Sequence, residues 1–191
     1  MKNQPNKAKL CLVRTFSIAA CSAIVFGSDP SHASEKQPSK KELLDFLPKM
    51  TKSPPLPPTH PFMIRASKAA DDLFEALRAD NVPDRYTWAW RAWVWAFHES
   101  SLTPSALGDA GKSCGYLQVS NPEKVLSGAT CDKVRKDGVL GFRVGMGLMK
   151  MLIDRCGSVS SALTMYATGQ ECPTWTLPLV IRRMKLSGDI R

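Results

Sequence analysis

Apolar residues recur at three- and four-residue steps along much of the chain, which is the spacing of one face of an α-helix. The first such run covers residues 62–77 and ends at the turn Asn81-Val82-Pro83. Asp84 then stands at the expected N-cap position of a second predicted helix over residues 85–100. The tryptophans of this second helix point in several directions around its axis, so we expect it to be surrounded by protein.

The second half of the chain returns to the helical pattern after an irregular, glycine-rich segment at 108–119. Apolar side chains dominate residues 137–154, Ser158 can cap a following helix, and a last helical segment covers 177–186. A short extended piece at 116–119 is the one candidate for β-structure. The pattern therefore predicts a mainly α-helical fold.

The beginning of the chain lacks this pattern and divides into two segments. Residues 1–33 combine a basic front, an apolar run and a small-residue motif, which is typical of a secretory signal peptide cleaved after Ala33. A competing signal resembles the bacterial lipobox and would leave Cys21 attached to lipid. Residues 34–61 are rich in Lys, Ser and Pro and indicate an extended tether, within which a short helix at 40–47 is possible but too small to fold alone. A single domain is therefore predicted over 62–191.

Hydropathy and net charge narrow the compartment and the partners. No run of about 18 or more uncharged apolar residues occurs, so no transmembrane helix is predicted. The formal charge is +9, and removal of residues 1–33 leaves 22 basic and 16 acidic side chains, a charge of +6, which favours polyanionic partners. The export signal and the lack of a nucleic-acid-binding motif argue against nucleic acid. We expect an exported monomer, periplasmic or extracellular, that acts on an anionic cell-wall polymer.

Cysteine usage agrees with export. Four cysteines follow the predicted signal peptide, and an even number in an oxidising compartment predicts two disulfides. Four cysteines allow three pairings. We expect Cys114 to pair with Cys131 and Cys156 with Cys172, since each pair closes a short loop between neighbouring predicted elements. A zinc site is the poorer interpretation because no Cys-x-x-Cys pair occurs.

Glu99 carries the strongest chemical signal, because this carboxyl group ends a helix otherwise rich in tryptophan and alanine. Apolar surroundings disfavour a charged carboxylate, and a carboxyl group that keeps its proton can act as a general acid. Trp95 lies one turn earlier and is a candidate wall of a sugar site, although core packing uses the same residue. His98 suggests a metal, but the zinc-protease pattern would need histidine at Leu102, so no metal site is predicted.

Three short motifs occur in order along the predicted domain. They are Glu99-Ser100-Ser101 with Pro104 and Ala106, then Gly111 and Gly115-Tyr116-Leu117-Gln118-Val119, and then Ala162-Leu163-x-x-Tyr166-Ala167-x-Gly169. In this order they resemble soluble lytic transglycosylases, lysozyme-like enzymes that cleave peptidoglycan, over about residues 62–172. Two positions depart from that family: Leu117, where Met is common, and Ala167, where Asn is common. The stretch 108–111 also resembles goose-type lysozymes. A lysozyme-like helical domain is the fold that these resemblances imply.

The resemblance also implies a role for each motif residue. Glu99 would protonate the oxygen between N-acetylmuramic acid and N-acetylglucosamine, and then accept the proton of the muramic C6 hydroxyl as that oxygen closes onto C1. Ser100 would position Glu99 by a hydrogen bond, Gln118 would donate to the sugar, and Tyr166 would orient the acid. Each also has a structural alternative: Ser100 can end its helix, Gln118 can fix its own loop, and Tyr166 can be a core residue with a satisfied hydroxyl.

Two alternatives to a transglycosylase remain open at this point. A hydrolytic muramidase would need a second carboxylate to activate water, and Asp109 is the acidic residue of the glycine-rich loop, where it could equally form a turn. A non-catalytic peptidoglycan-binding protein would keep the groove and the basic charge without turnover. The presence of Glu99 favours an enzyme, because an unpaired carboxyl group in a desolvated site destabilises the fold. No cofactor is predicted for any of the three.

Overall fold

A computed structural model of the protein describes residues 37–189. The predicted signal peptide, its cleavage site and Cys21 lie outside these residues. The described part is mainly helical with one very small sheet, and this confirms the predicted fold class. Its elements are α1 (Lys40–Asp45), α2 (Leu47–Thr51), α3 (Pro61–Ala79), α4 (Arg85–Ser100), β1 (Leu107–Gly108), β2 (Ser113–Cys114), β3 (Val119–Ser120), α5 (Cys131–Lys136), α6 (Gly138–Cys156), α7 (Val159–Thr168) and α8 (Pro178–Ser187).

Side chains at the helix ends explain why these helices begin and end where they do. Asp84, Asp137 and Ser158 each accept a hydrogen bond from a backbone amide in the first turn of α4, α6 and α7 respectively. Gly157 and Gly169 close α6 and α7 in the left-handed conformation that glycine adopts readily. The caps at Asp84 and Ser158 are those that the sequence predicts.

The core lies where α3, α4 and α6 pack together. Trp93 of α4 is fully buried there, as expected of a helix surrounded by protein. Phe142 of α6 stacks on Tyr116 with ring centroids 4.4 Å apart, and the Tyr116 hydroxyl donates to the Asp72 carboxylate of α3 over 2.9 Å. These contacts fix the turn after β2 against two core helices.

The sheet is antiparallel in the order β1-β2-β3, with Cys114 of β2 opposite Val119 of β3. The predicted extended piece at 116–119 is therefore wrong in detail, because residues 115–118 form the turn of this hairpin and Val119 alone of that piece lies in a strand. Gln118 has a φ of 50°, so its backbone reverses direction instead of extending. Apolar residues in the turn gave it the appearance of a strand.

Residues 40–51 differ from the predicted tether. They form α1 and α2, which place Leu43, Leu47 and Met50 in the core, with α1 against α3. Helices this short are not stable alone, so packing against the domain stabilises them. The tether prediction is thus wrong for residues 40–51. The short helix that the sequence allows at 40–47 is present as α1, which ends at Asp45, and residues 52–60 are the proline-rich stretch without helix.

Both predicted disulfides are present. Cys114 and Cys131 have Cα atoms 5.7 Å apart and join β2 to the start of α5. Cys156 and Cys172 have Cα atoms 5.1 Å apart and join the end of α6 to the segment before α8. The first bridge therefore restrains the hairpin, and the second restrains the chain that leads into the last helix.

The last helix is held on α4 by a buried ion pair. Arg91 of α4 bonds Asp189, just after α8, with an Nε–Oδ1 distance of 3.1 Å, and their side chains are only 10% and 3% exposed. The Ser187 hydroxyl also donates to Asp189 at 2.7 Å. Between residues 37 and 189, no helix has the length and apolar character needed to cross a membrane.

Candidate active site

A cavity of about 460 Å³ lies between the C-terminal end of α4, the hairpin, α7 and α8. Four of the residues singled out in the sequence line it, namely Glu99, Asp109, Gln118 and Tyr166. Its other lining residues are Ser120, Leu148, Ala167, Leu179 and Arg183. The fold thus brings candidates from three separated motifs to one cavity.

Glu99 lies in the last turn of α4 and faces this cavity. Its side chain is 21% exposed, and its Oε1 atom is 2.5 Å from Nη1 of Arg183 on α8. The helix sequence around Glu99 predicts apolar surroundings for this carboxyl group, and the structure adds a cation that the sequence did not predict. The reason for the difference is the approach of α8, which the sequence around Glu99 does not reveal.

The Arg183 guanidinium packs against an aromatic ring. It lies 4.5 Å from the ring centroid of Trp95, which is fully buried. The Trp95 ring also meets the Tyr166 ring edge to face, with centroids 5.7 Å apart. The expectation that Trp95 forms a wall of a sugar site is therefore wrong, because this side chain lies behind Arg183 and Tyr166 and supports them.

Tyr166 of α7 contributes its hydroxyl to the hairpin turn. The hydroxyl donates a hydrogen bond to the carbonyl oxygen of Leu117. Burial raises the pKa of the Tyr166 phenol, and the nearby Glu99 carboxylate raises it further. Tyr166 is therefore a neutral hydrogen-bond donor that lies near Glu99 and fixes the turn beside it.

Gln118 lines the cavity, but its amide is engaged with its own loop. Nε2 donates to the carbonyl oxygens of Gly115 at 2.8 Å and Ala106 at 3.3 Å, while Oε1 accepts from Ser113. This is the structural alternative that the sequence left open. A Cβ on Gly108 would lie 2.2 Å from Gln118 Oε1 and 2.7 Å from Ser113 Oγ, so a larger residue at position 108 would displace these two side chains.

Asp109 directly follows β1, at the start of the loop that leads to β2, and is exposed. Its Oδ2 atom lies 3.2 Å from the Ser113 hydroxyl and shares the single proton of that hydroxyl with Gln118 Oε1, a local bond of the kind expected of a turn-forming aspartate. Its backbone has a φ of 49°, a strained conformation for a residue other than glycine. Asp109 therefore combines a local structural bond with a position on the cavity wall.

Ser100 does not hold Glu99. Its hydroxyl donates to the carbonyl oxygen of Ala96 at 3.0 Å and accepts from the amide of Thr103 at 3.2 Å. These bonds end α4 and begin the following turn, so the predicted positioning role is wrong and the structural alternative is right. Backbone groups at a helix end need such partners, which is why a serine at this position bonds the backbone.

His98 precedes Glu99 but is not among the residues that line the cavity. Burial lowers the pKa of His98 to about 4, and the positive charges of Arg183 and Arg182 act in the same direction. Its Nε2 atom is buried and has no hydrogen-bond partner among the described residues. His98 is therefore a neutral side chain beside a cationic helix.

Arg183 is the main residue that the sequence reasoning missed. It follows Val180 by three residues and precedes Met184, and both of those side chains are buried. This spacing places Arg183 near the inward face of α8, a signal that was available in the sequence. The many other basic residues of the chain obscured it.

A second, larger cavity of about 720 Å³ has a different character. It lies between α1, α2, the proline-rich residues and the start of α3, and its lining includes Leu44, Leu47, Leu56, Phe62 and Met63. Two of its charged residues, Lys41 and Asp45, pair with each other. The convergent acidic and polar groups are found at the smaller cavity, which is the candidate active site.

No family model, curated protein or solved structure matches this chain. The functional assignment therefore rests on the sequence motifs and on the geometry of the cavity around Glu99.

Proposed function

We propose that this protein is an exported enzyme that cleaves the glycan strands of peptidoglycan at the bond between N-acetylmuramic acid and N-acetylglucosamine. Glu99 is its general acid and base, and the favoured reaction is that of a lytic transglycosylase. The observation that carries the proposal is the convergence of Glu99, Gln118 and Tyr166 on one cavity. These residues come from three motifs that resemble that enzyme class, and nothing in their spacing along the chain requires them to meet.

The proposed reaction needs one carboxyl group, because the substrate supplies the nucleophile. Protonated Glu99 donates its proton to the bridging oxygen, and the bond from that oxygen to C1 of the muramic residue breaks. The resulting Glu99 carboxylate accepts the proton of the muramic C6 hydroxyl as the C6 oxygen bonds to C1. A 1,6-anhydromuramic end and a free 4-hydroxyl are formed, and Glu99 regains its proton.

The other residues support this reaction by shaping the cavity. The bond from Tyr166 to the Leu117 carbonyl fixes the turn after β2, and the amide bonds of Gln118 fix the same turn from within. A fixed wall positions the sugar relative to Glu99, and positioning of this kind lowers the reaction barrier. The basic character of the chain favours an anionic polymer as its substrate.

Hydrolysis is a second candidate because Asp109 lines the same cavity as Glu99. In that reaction Asp109 would accept a proton from a water molecule as the water oxygen attacks C1, while Glu99 protonates the leaving oxygen. The product would then have an ordinary reducing end. The two reactions differ by one water molecule in the mass of the product.

Binding without turnover is a third candidate, and the ion pair between Glu99 and Arg183 is the observation in its favour. This pair stabilises a carboxyl group in a partly desolvated site, so Glu99 has a structural role as well as a chemical one. The presence of Glu99 is therefore weaker evidence for an enzyme, as opposed to a binding protein, than its sequence context indicates.

The test compares wild-type protein with Glu99→Gln and with Glu75→Gln, which makes the same change at an exposed position on α3. We expect wild type and Glu75→Gln to release soluble fragments from purified peptidoglycan, and Glu99→Gln to release none while it stays folded by circular dichroism. Mass spectrometry should find 1,6-anhydro ends. Reducing ends would instead support hydrolysis through Asp109.

Two outcomes would contradict catalysis by Glu99. Equal release by folded Glu99→Gln and wild type would remove Glu99 from the reaction. Binding of wild type to peptidoglycan with no fragment release at any protein concentration would favour the non-catalytic candidate.

A further inference from the structure

Arg183 occupies an unusual position for a cation. Its side chain is 14% exposed, its guanidinium lies over the buried Trp95 ring at 4.5 Å, and it pairs with Glu99. Of the described residues that line the cavity, Arg183 alone is cationic. The cavity therefore holds one fixed positive charge directly beside the proposed acid.

The proposed reaction conflicts with this ion pair. Glu99 can donate a proton only in its neutral form, and a neutral carboxyl group no longer balances the charge of Arg183. An arginine side chain keeps its charge under all relevant conditions, and an unbalanced charge in a mostly desolvated site is costly. A second anion beside Arg183 would therefore favour the neutral form of Glu99 that the reaction needs.

Asp109 is the other carboxylate on the cavity wall, but among the described residues Arg183 forms an ion pair with Glu99 and none with Asp109, whose Oδ2 atom accepts from Ser113 on the hairpin side. The Tyr166 hydroxyl is bonded to the Leu117 carbonyl, and a phenol would in any case bring no charge. The described wall thus leaves the substrate as the source of the second anion. A carboxylate suits the planar guanidinium, because its two oxygens can accept two parallel hydrogen bonds.

Resting on the proposed glycan cleavage, we propose that Arg183 binds the free lactyl carboxylate of a muramic residue that carries no peptide stem. The arriving carboxylate takes Arg183 from Glu99, and Glu99 can then hold the proton that the reaction needs. A peptide stem converts the lactyl carboxyl group to an uncharged amide and removes this interaction. The substrate class is therefore peptide-free glycan strands, and Arg183 is the specificity-determining residue.

The experiment compares three substrates and four proteins. The substrates are glycan strands stripped of peptide by an amidase, the same strands with their carboxyl groups converted to methylamides, and intact peptidoglycan. The proteins are wild type, Arg183→Gln, Glu99→Gln and the control Arg182→Gln, which removes the neighbouring exposed charge on α8. Cleavage is measured as kcat/KM, and binding is measured by titration calorimetry.

We expect wild type and Arg182→Gln to cleave the stripped strands roughly 10- to 100-fold better than the methylamidated strands, the range expected for one charged hydrogen-bonded contact. Arg183→Gln should lose this preference, with a ratio near one. Glu99→Gln should bind the stripped strands more tightly than wild type does, because its Arg183 has no competing carboxylate.

Three results would overturn the proposal. The first is an equal kcat/KM of wild type on stripped and methylamidated strands, and the second is a ratio of these two kcat/KM values that is unchanged in Arg183→Gln. The third is a preference for intact peptidoglycan that Arg183→Gln removes, which would assign the contact to a carboxylate of the peptide stem. Failure of the proposed function is a separate result. If wild type cleaves no substrate, the binding measurements alone decide the carboxylate preference, and equal affinity for stripped and methylamidated strands would refute it.

Discussion

The hydroxyl of Tyr166 donates a hydrogen bond to the carbonyl oxygen of Leu117, and this bond joins α7 to the hairpin turn beside the cavity. The two residues belong to different motifs of the sequence. Their contact also places the Tyr166 ring against Trp95, which in turn supports Arg183. Order in the hairpin and order around Glu99 are therefore coupled through one phenol.

Tyr166→Phe should weaken the site more than the fold. The change leaves the Leu117 carbonyl without its donor, which costs about 1–3 kcal/mol of unfolding free energy. Urea unfolding measures this loss. Fragment release from peptidoglycan should fall by more than tenfold at temperatures where the variant is fully folded, and undiminished release would show that the turn needs no such support.

Gly145→Ala should destabilise the protein because Leu117 lies directly over this glycine of α6. A Cβ at position 145 would lie 2.5 Å from Cδ1 and 2.7 Å from Cβ of Leu117. Overpacking of this kind costs about 1–3 kcal/mol. In the control Gly141→Ala, the nearest atoms lie at 3.4 Å or beyond, so the better helix propensity of alanine should leave stability equal or slightly higher. Equal unfolding free energies for the two variants would contradict this packing.

Asp189→Asn should loosen α8. The change leaves the buried Arg91 side chain without its charged partner, and the loss of one member of a buried pair costs about 3–5 kcal/mol. The control is Asp71→Asn, whose pair with Lys40 is exposed and should contribute about 1 kcal/mol or less. Hydrogen exchange should show faster exchange in α8 for Asp189→Asn only. A similar effect of both variants would refute the anchoring role of Asp189.

His98 should make stability depend on pH in the acidic range. Burial and the two arginines lower the pKa of His98 in the folded protein to about 4, against an ordinary value of 6.5. Between these values the unfolded chain binds a proton that the folded protein does not. The contribution of neutral, buried His98 to the free energy of unfolding is therefore fully present above pH 6.5 and decreases as the pH falls towards 4.

The check is the midpoint of urea unfolding, measured from pH 7 to pH 4 for wild type and for His98→Gln. The glutamine variant should have the shallower dependence on pH. His60→Asn is the matched control, because it removes an exposed histidine and keeps an acceptor for the Phe62 amide. Parallel curves for wild type and His98→Gln would contradict the shifted pKa.

Much of the secondary structure could be predicted because its signals are local. The limits of α4, the cap at Ser158 and both disulfides follow from patterns that span a few residues or one short loop. The prediction failed at 116–119 and at 40–51, and in both segments tertiary packing decided the conformation. The apolar residues in these two segments indicated that the side chains are buried, but they did not indicate whether the backbone is a strand, a turn or a helix.

The sequence predicted several of the residues that line the site, but it did not predict which side chains contact one another there. Glu99, Asp109, Gln118 and Tyr166 do line one cavity, whereas Trp95 and Ser100 serve the core and the helix end. A short polar side chain at a helix end finds backbone partners nearby, and a large aromatic ring is buried where it can be. These local preferences outweighed the roles that the motifs suggested.

The sequence by itself determined α3, α4, α6, α7 and α8, the caps at Asp84 and Ser158, the disulfide pairing and the identity of the proposed acid, because each depends on residues close together along the chain. Only the tertiary structure decided the partner of that acid. Arg183 lies 84 residues from Glu99 along the chain, and the pair forms because α8 packs on α4 and is anchored there by Arg91 and Asp189. Periodicity shows which face of a helix is buried, but the opposing side chain is set by how the faces of distant helices fit together.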